Sequence, residues 1–527
     1  MSNCYSKRIY FDGFLPPAKL DVRLSRLIGL TKRMSDYYYA NQTVYLPFAR
    51  QQDCEASLFG PTSVQTRLTA LPPAPFLVPA VLEALQQSST YQESTFVVPG
   101  EADLYCSQFL SQYGGLVLTG DSDLLVHDLG ESGKVGFLRD IRLCGSETQM
   151  LQTKSYWPAA IARQLSLPLS NGMILLAFEM KMDTQNSFKE LVAHARGEQA
   201  VKTYSILYHE FCKDYQTLVC ELPYSDRPSS ALRILQGADP RISEYMLQFS
   251  EIAALAGRAP EESTFSSTHV FLPFLIDSPT RTSAWEMSLS VRVLAYSLMN
   301  IIVPLDERKT IVNEHRKQTD KSQGRPLQLI ANEMIDETCQ TLVDMISLLE
   351  ERFHGSRADQ SFWTALAIYQ DIDFANTNLK GPTIKLVRQQ FSSGKVGKTS
   401  SWDVIQLFAQ IQACFYSFRI LRQILAFVIA SRHDLSSALI QLNEQLTTLP
   451  MLAELQDLAQ IPGILQFVEE SKVFEVVCDV LGIAVDVPQT TDKKKAKLAK
   501  KKKKREQTAP VQNYTKSNNP FSLLGTE

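Results

Sequence analysis

The stretch GEADLYCSQFLSQYGGLVLTGDSDLL, Gly100 to Leu125, carries four carboxylates and no basic residue. Glu101 and Asp103 form one pair, Asp121 and Asp123 another, each with a single residue between its members. A fifth carboxylate, Asp12, ends the short run KRIYFD. Asp12, Glu101 and the Asp121/Asp123 pair each follow an apolar segment of strand character. In a parallel sheet, ligands collect at the carboxyl ends of the strands. Five carboxylates on one edge repel one another unless cations offset the charge. Oxygen-only donors favour hard ions such as Mg²⁺ or Mn²⁺. Two such ions about 3.5–4 Å apart can clamp the attacking and leaving oxygens of a phosphodiester. Plainer roles compete with this reading. Glu101 can favour a helix N-terminus through the dipole, and Asp121 and Asp123 can be turn residues. The joint placement after consecutive apolar strands favours metal.

The elements that would position these groups are short. KRIYF (7–11), STFVV (94–98), GLVLT (115–119) and VGFLRDI (135–141) are β-rich and bounded by turn residues. From Glu101 the residues Ala102, Tyr105, Cys106, Phe109 and Tyr113 follow helical spacing, and Gly114-Gly115 ends the helix. Strand, helix and strand make a βαβ unit with a parallel sheet. FLVPAVLEALQ (76–86) predicts a further helix in a Pro-interrupted insert.

The length of 527 residues calls for more than one domain. An α/β domain is expected over 1–235, a mainly helical domain over 236–486 and a disordered Lys-rich tail over 487–527. Leu327–Phe353 and Ser401–Arg432 carry helical apolar periodicity, the second on a wide face suited to a central helix. Between them and the first domain, Asp306–Pro326 reads as a polar separator. The apolar run ILAFVIA (424–430) is too short to span a bilayer, so no membrane is expected. Nine cysteines without a CxxC pair suggest reduced thiols, in the nucleus or cytosol. Removing the ten positive charges of Lys493–Arg505 from the net −3 leaves −13 on the rest. An acidic body does not bind nucleic acid by general attraction alone. The Lys-rich run reads as a nuclear-localisation or nucleic-acid patch.

FDG at Phe11–Gly13, VVPGEAD at Val97–Asp103 and LTGDSDLLV at Leu118–Val126 resemble the flap endonuclease/XPG superfamily, whose catalytic fold is PIN-like. The wording FDGFLPPAKLDVRLSRL and the helical second half resemble its asteroid branch, as found in fungi. The resemblance implies a PIN-like α/β nuclease domain with a mostly parallel sheet. It implies metal binding by Asp12, Glu101, Asp103, Asp121 and Asp123. Glu179, in ILLAFEMKMD, falls near the family's late acidic position. Lys19 and Arg26 stand at spacings where flap endonucleases place cations on the scissile phosphate. A solvated helix face is their alternative role.

Two departures accompany the resemblance. The family's opening strand, with a further metal-binding Asp, has no counterpart here, which suggests a truncated start. No Gly-rich hairpin follows Glu179, so the family's usual grip on duplex DNA is not expected. The function implied is Mg²⁺- or Mn²⁺-dependent hydrolysis of branched or overhanging DNA, in DNA repair, in the nucleus and also the cytoplasm. The alternative is a nuclease-fold scaffold or RNA-associated regulator without turnover.

Overall fold

The computed structural model describes residues 7–42, 72, 74–144, 150–168, 171–215, 229–258, 267–353, 356–392, 401–453 and 461–484. The Lys-rich run 493–505 and the disorder expected around it lie outside these residues. By its internal contacts the chain forms the units Met1–Leu481 and Gly482–Glu527.

Ten strands are described: β1 Ile9–Asp12, β2 Thr95–Val98, β3 Gly115–Thr119, β4 Gly133–Phe137, β5 Arg142–Cys144, β6 Met150–Gln152, β7 Ser155–Tyr156, β8 His269–Phe271, β9 Ile311–His315 and β10 Arg325–Gln328. They do not form the one mostly parallel sheet expected from the sequence. They form small sheets of mixed direction. β1 pairs with β2 in parallel, and β3 with β4 in parallel, while β7 joins β4 antiparallel. The β5–β6 pair is antiparallel, and β9 lies between a parallel β8 and an antiparallel β10. Among the described residues β1 and β3 are each paired on one side only. Leu116 and Leu118 of β3 stand largely exposed.

The first helix, α1, runs Leu20–Ala40 and buries Leu24, Leu27, Thr31 and Met34 at three- and four-residue spacing. That stripe packs against Phe271, Phe274, Trp402 and Ile405. The second, α2 (Leu77–Gln87), follows Phe76, whose ring stacks on Tyr416 at 5.0 Å. Both contacts join the N-terminal part to the helix Trp402–Ser431. That helix is long and apolar enough to cross a membrane by length and composition, yet most of its apolar stretch is buried inside the protein. It is the core helix that its all-round apolar surface predicts.

The polar segment Asp306–Pro326 is not a simple separator. It contains β9, where Glu314 is fully buried and bonded to Arg292 (Nε–Oε1, 2.7 Å), Arg316 and the Tyr296 hydroxyl (3.1 Å). Burial opposes the charge, but Arg292 and Arg316 hold the Glu314 carboxyl down at about 2.

Candidate metal centre

The site begins at a glycine. Gly13 follows β1, and a Cβ there would lie 2.2 Å from the Val98 carbonyl oxygen. Any other residue would force β1 and β2 apart. The close approach lets Gly13 N–H donate to the Gly100 carbonyl at 3.1 Å. It also sets Asp12 opposite Val98 in the ladder. The third helix, α3, runs Ala102–Tyr113 with Glu101 as its extended N-cap residue. Glu101 makes no side-chain cap. Asp12 supplies it instead: its Oδ1 accepts the Ala102 N–H at 2.6 Å. Gly114, at φ +68°, ends the helix in the left-handed region.

Glu101 is ion-paired with Lys19, Nζ–Oε1 2.6 Å. Asp103 lies in the first turn of α3. Burial, then the charges of Asp12, Asp121, Asp123 and Glu101, push its carboxyl up to about 6. Asp121 accepts the Asp123 N–H at 3.2 Å, the local turn bond expected of such a residue. Asp123 is raised by burial and by Asp121, with Lys19 opposing. All five carboxylates therefore share one electrostatic neighbourhood.

Arg26 lies seven residues beyond Lys19, about 10 Å along the helix. It is exposed on α1 and makes no ion pair or hydrogen bond among the described residues. Glu179 is placed differently from the expectation. It sits in the helix Gly172–Met182, is 4% exposed, and its Oε1 accepts the Ala200 N–H at 2.7 Å. It serves the start of the helix Gln199–Thr203 and is not among the charges that raise Asp103.

Asp214 was not singled out from the sequence, yet its charge reaches Asp123. It follows the helix Ser205–Lys213. Next to it, the Tyr215 ring lies 5.0 Å from His127, so the end of that helix is docked on the segment after Asp123. Burial, then Asp123 and Asp214, push the Tyr215 hydroxyl up to about 12. Burial and Lys19 hold His127 down at about 4, neutral at pH 7. The signal available in the sequence was an Asp-Tyr pair closing a helix whose Phe211 continues the apolar face.

Among the described residues no three His, Cys, Asp or Glu side chains converge closely enough to hold a metal ion. Asp12 caps α3, Glu101 takes Lys19 and Asp121 closes its own turn, so each has a local partner. The donor chemistry fits a hard divalent cation all the same. Asp12, Glu101, Asp121 and Asp123 act on Asp103, Asp214 acts on Asp123 with Lys19 opposing, and burial with these charges pushes the Asp103 carboxyl up to about 6. The residues present supply the charge and oxygen donors, and the coordination geometry is unformed.

Residues 73–329 match a family model described as XPG domain containing. The match supports a place in the XPG/PIN-like nuclease superfamily and points to a nuclease-like function that acts on nucleic acid. It runs well past residue 235, through β8, β9 and β10. No curated protein and no solved structure gives a match.

Proposed function

We propose that this protein is an asteroid-like, metal-dependent nuclease that hydrolyses phosphodiester bonds in branched or overhanging DNA. The observation that carries the reading is the Asp103 carboxyl, raised first by burial and then by the charges of Asp12, Asp121, Asp123 and Glu101, which gather where β1, β2 and β3 end. Asp12, Glu101, Asp103, Asp121 and Asp123 would hold the cations, with Asp214 as an outer member of the set. Bound Mg²⁺ or Mn²⁺ would supply an activated water and stabilise charge on the leaving oxygen. Lys19 would leave Glu101 for the scissile phosphate once metal takes the carboxylate, and Arg26 would hold the next phosphate along α1. The Lys-rich run 493–505 would direct the protein to the nucleus, where DNA repair is its proposed setting.

A second reading has its own support. Lys19 is paired with Glu101, Glu179 is committed to a helix start, and among the described residues no three ligand side chains converge on one point. A scaffold that keeps the nuclease fold without turnover would look the same. The metal claim is tested by thermal melting of the full chain in EDTA, Mg²⁺ and Mn²⁺. Metal should raise the melting temperature, since it binds the folded state. Asp121→Asn with Asp123→Asn should remove the rise. A melting temperature indifferent to both ions would refute the metal site.

A further inference from the structure

The β1–β2 ladder ends at the Asp12–Val98 rung, so Asp12 stands at its last pair and Glu101 in the turn beyond it. Pro99 has no N–H with which to extend the pairing. Two backbone bonds join the turns that follow. The Gly13 and Phe14 N–H groups both reach the Gly100 carbonyl, at 3.1 and 3.4 Å. A side chain from a distant part of the sequence completes the junction. The Arg258 guanidinium lies 3.8 Å from the centre of the Phe14 ring, in the first turn. Its Nη1 donates to the Pro99 carbonyl, in the second turn, at 2.5 Å. Phe14 is 1% exposed, so the cation–ring contact is made largely out of water, where it is strongest.

The backbone of Arg258 is itself held in place. It follows the helix Ser250–Leu255, which ends in a Schellman motif. Gly257, at φ +77°, donates to the Ala254 carbonyl at 3.0 Å, and the Arg258 N–H to the Ala253 carbonyl at 2.9 Å. Glu307 caps the other end of that helix, its carboxylate accepting the Ser250 N–H at 2.9 Å. Arg258 is not among the charges that act on Asp103 or Asp123. It touches a ring in one turn and a carbonyl in the other, so its influence on the carboxylates runs through the placement of the backbone.

We infer that Arg258 is a positioning residue for the acidic site. It clamps the turn after Asp12 to the turn that carries Glu101, and so sets how tightly the site holds a divalent cation. The effect on the cation rests on the metal reading above, and the clamp does not.

The test uses the full chain and two readouts. Hydrogen exchange by mass spectrometry, in EDTA, follows the amides of Gly13, Phe14 and Ala102, the last of which is bonded to Asp12. Titration with Mn²⁺, followed by electron paramagnetic resonance, gives the affinity. Arg258→Met keeps an apolar stem but loses the donor and the charge. It should speed exchange in both turns and weaken Mn²⁺ binding about tenfold or more, as loss of an outer support of metal ligands does. Arg258→Lys, which keeps a cation for the ring, should recover part of both. Arg388→Met controls for a simple loss of stability. Arg388 also lies over a ring, that of Phe474 at 4.8 Å, and bonds Glu469 and Glu475, neither of them part of the acidic site. That variant should leave both readouts at their wild-type values. Unchanged exchange in Arg258→Met overturns the clamp. Faster exchange with wild-type Mn²⁺ affinity, or an equal loss of affinity in Arg388→Met, overturns its link to the cation. A wild-type chain that binds no Mn²⁺ refutes the metal reading and the link with it, while the exchange result still decides the clamp.

Discussion

Asp103 is the residue at which charge and burial meet. Its carboxyl is raised from 3.8 to about 6, so the folded protein holds that proton more tightly than the unfolded chain does. The sign follows directly. The stability linked to this group is present below the unfolded value and is lost as pH rises through about 6. Asp103→Asn removes the loss. In EDTA at pH 7 the variant should be more stable than wild type, by on the order of 1 kcal/mol after allowance for solvent screening. The two should converge as pH falls toward 4. Melting across that range checks it, and a variant less stable than wild type at pH 7 would show that Asp103 has a favourable partner. Lys19, ion-paired with Glu101, opposes the rise at Asp123 but is not among the charges that act on Asp103. Asp12, Glu101, Asp103, Asp121 and Asp123 were all legible in the sequence, through their place after apolar runs. Glu179 and Asp214 were not, because which acid ends a helix inside the core and which ends one beside the site depends on tertiary packing.

At the scale of elements, the site depends on how β1, β2 and α3 meet. The glycine of FDG lets the two chains touch, and Asp12 crosses from β1 to cap α3. Gly13→Ala places a methyl group against the Val98 carbonyl and should cost about 1–3 kcal/mol or more. It should also move Asp12 off the Ala102 amide, so the variant should lose both melting temperature and metal response. An alanine variant as stable as wild type would mean that the strand pair can part freely. The strands β1, β2 and β3 and the helix α3 were readable from apolar runs and turn residues to within two residues of their bounds, whereas β4 ends at Phe137, four residues before the expected Ile141. β8, β9 and β10 were missed. Leu327 was assigned to a helix but belongs to β10, while the helix starts at Asn332. Asp306–Pro326 looked like a solvated separator because polarity was equated with exposure. Glu314 is buried with Arg316, two residues on, and with Arg292, 22 residues back, and the distant partner leaves no local signal.

At the scale of the molecule, the second half is not a passive appendage. Trp402 packs on α1 and Tyr416 on Phe76, so the core helix Trp402–Ser431 steadies the segments that carry Lys19, Arg26 and the approach to β2. The family match ending at residue 329 likewise joins the first half to part of the second. Such a frame is what a site of mutually repelling carboxylates requires, since the fold must hold them together before a cation does. The measurement that tests the nuclease reading most directly is cleavage of labelled flap, overhang and hairpin DNA by the full chain. Wild type in Mg²⁺ or Mn²⁺ should cut at least one of these substrates, with EDTA or Asp121→Asn plus Asp123→Asn abolishing the products while the fold, by circular dichroism, is kept. A wild-type protein that melts higher with metal yet leaves every substrate intact would contradict the nuclease reading and favour the scaffold.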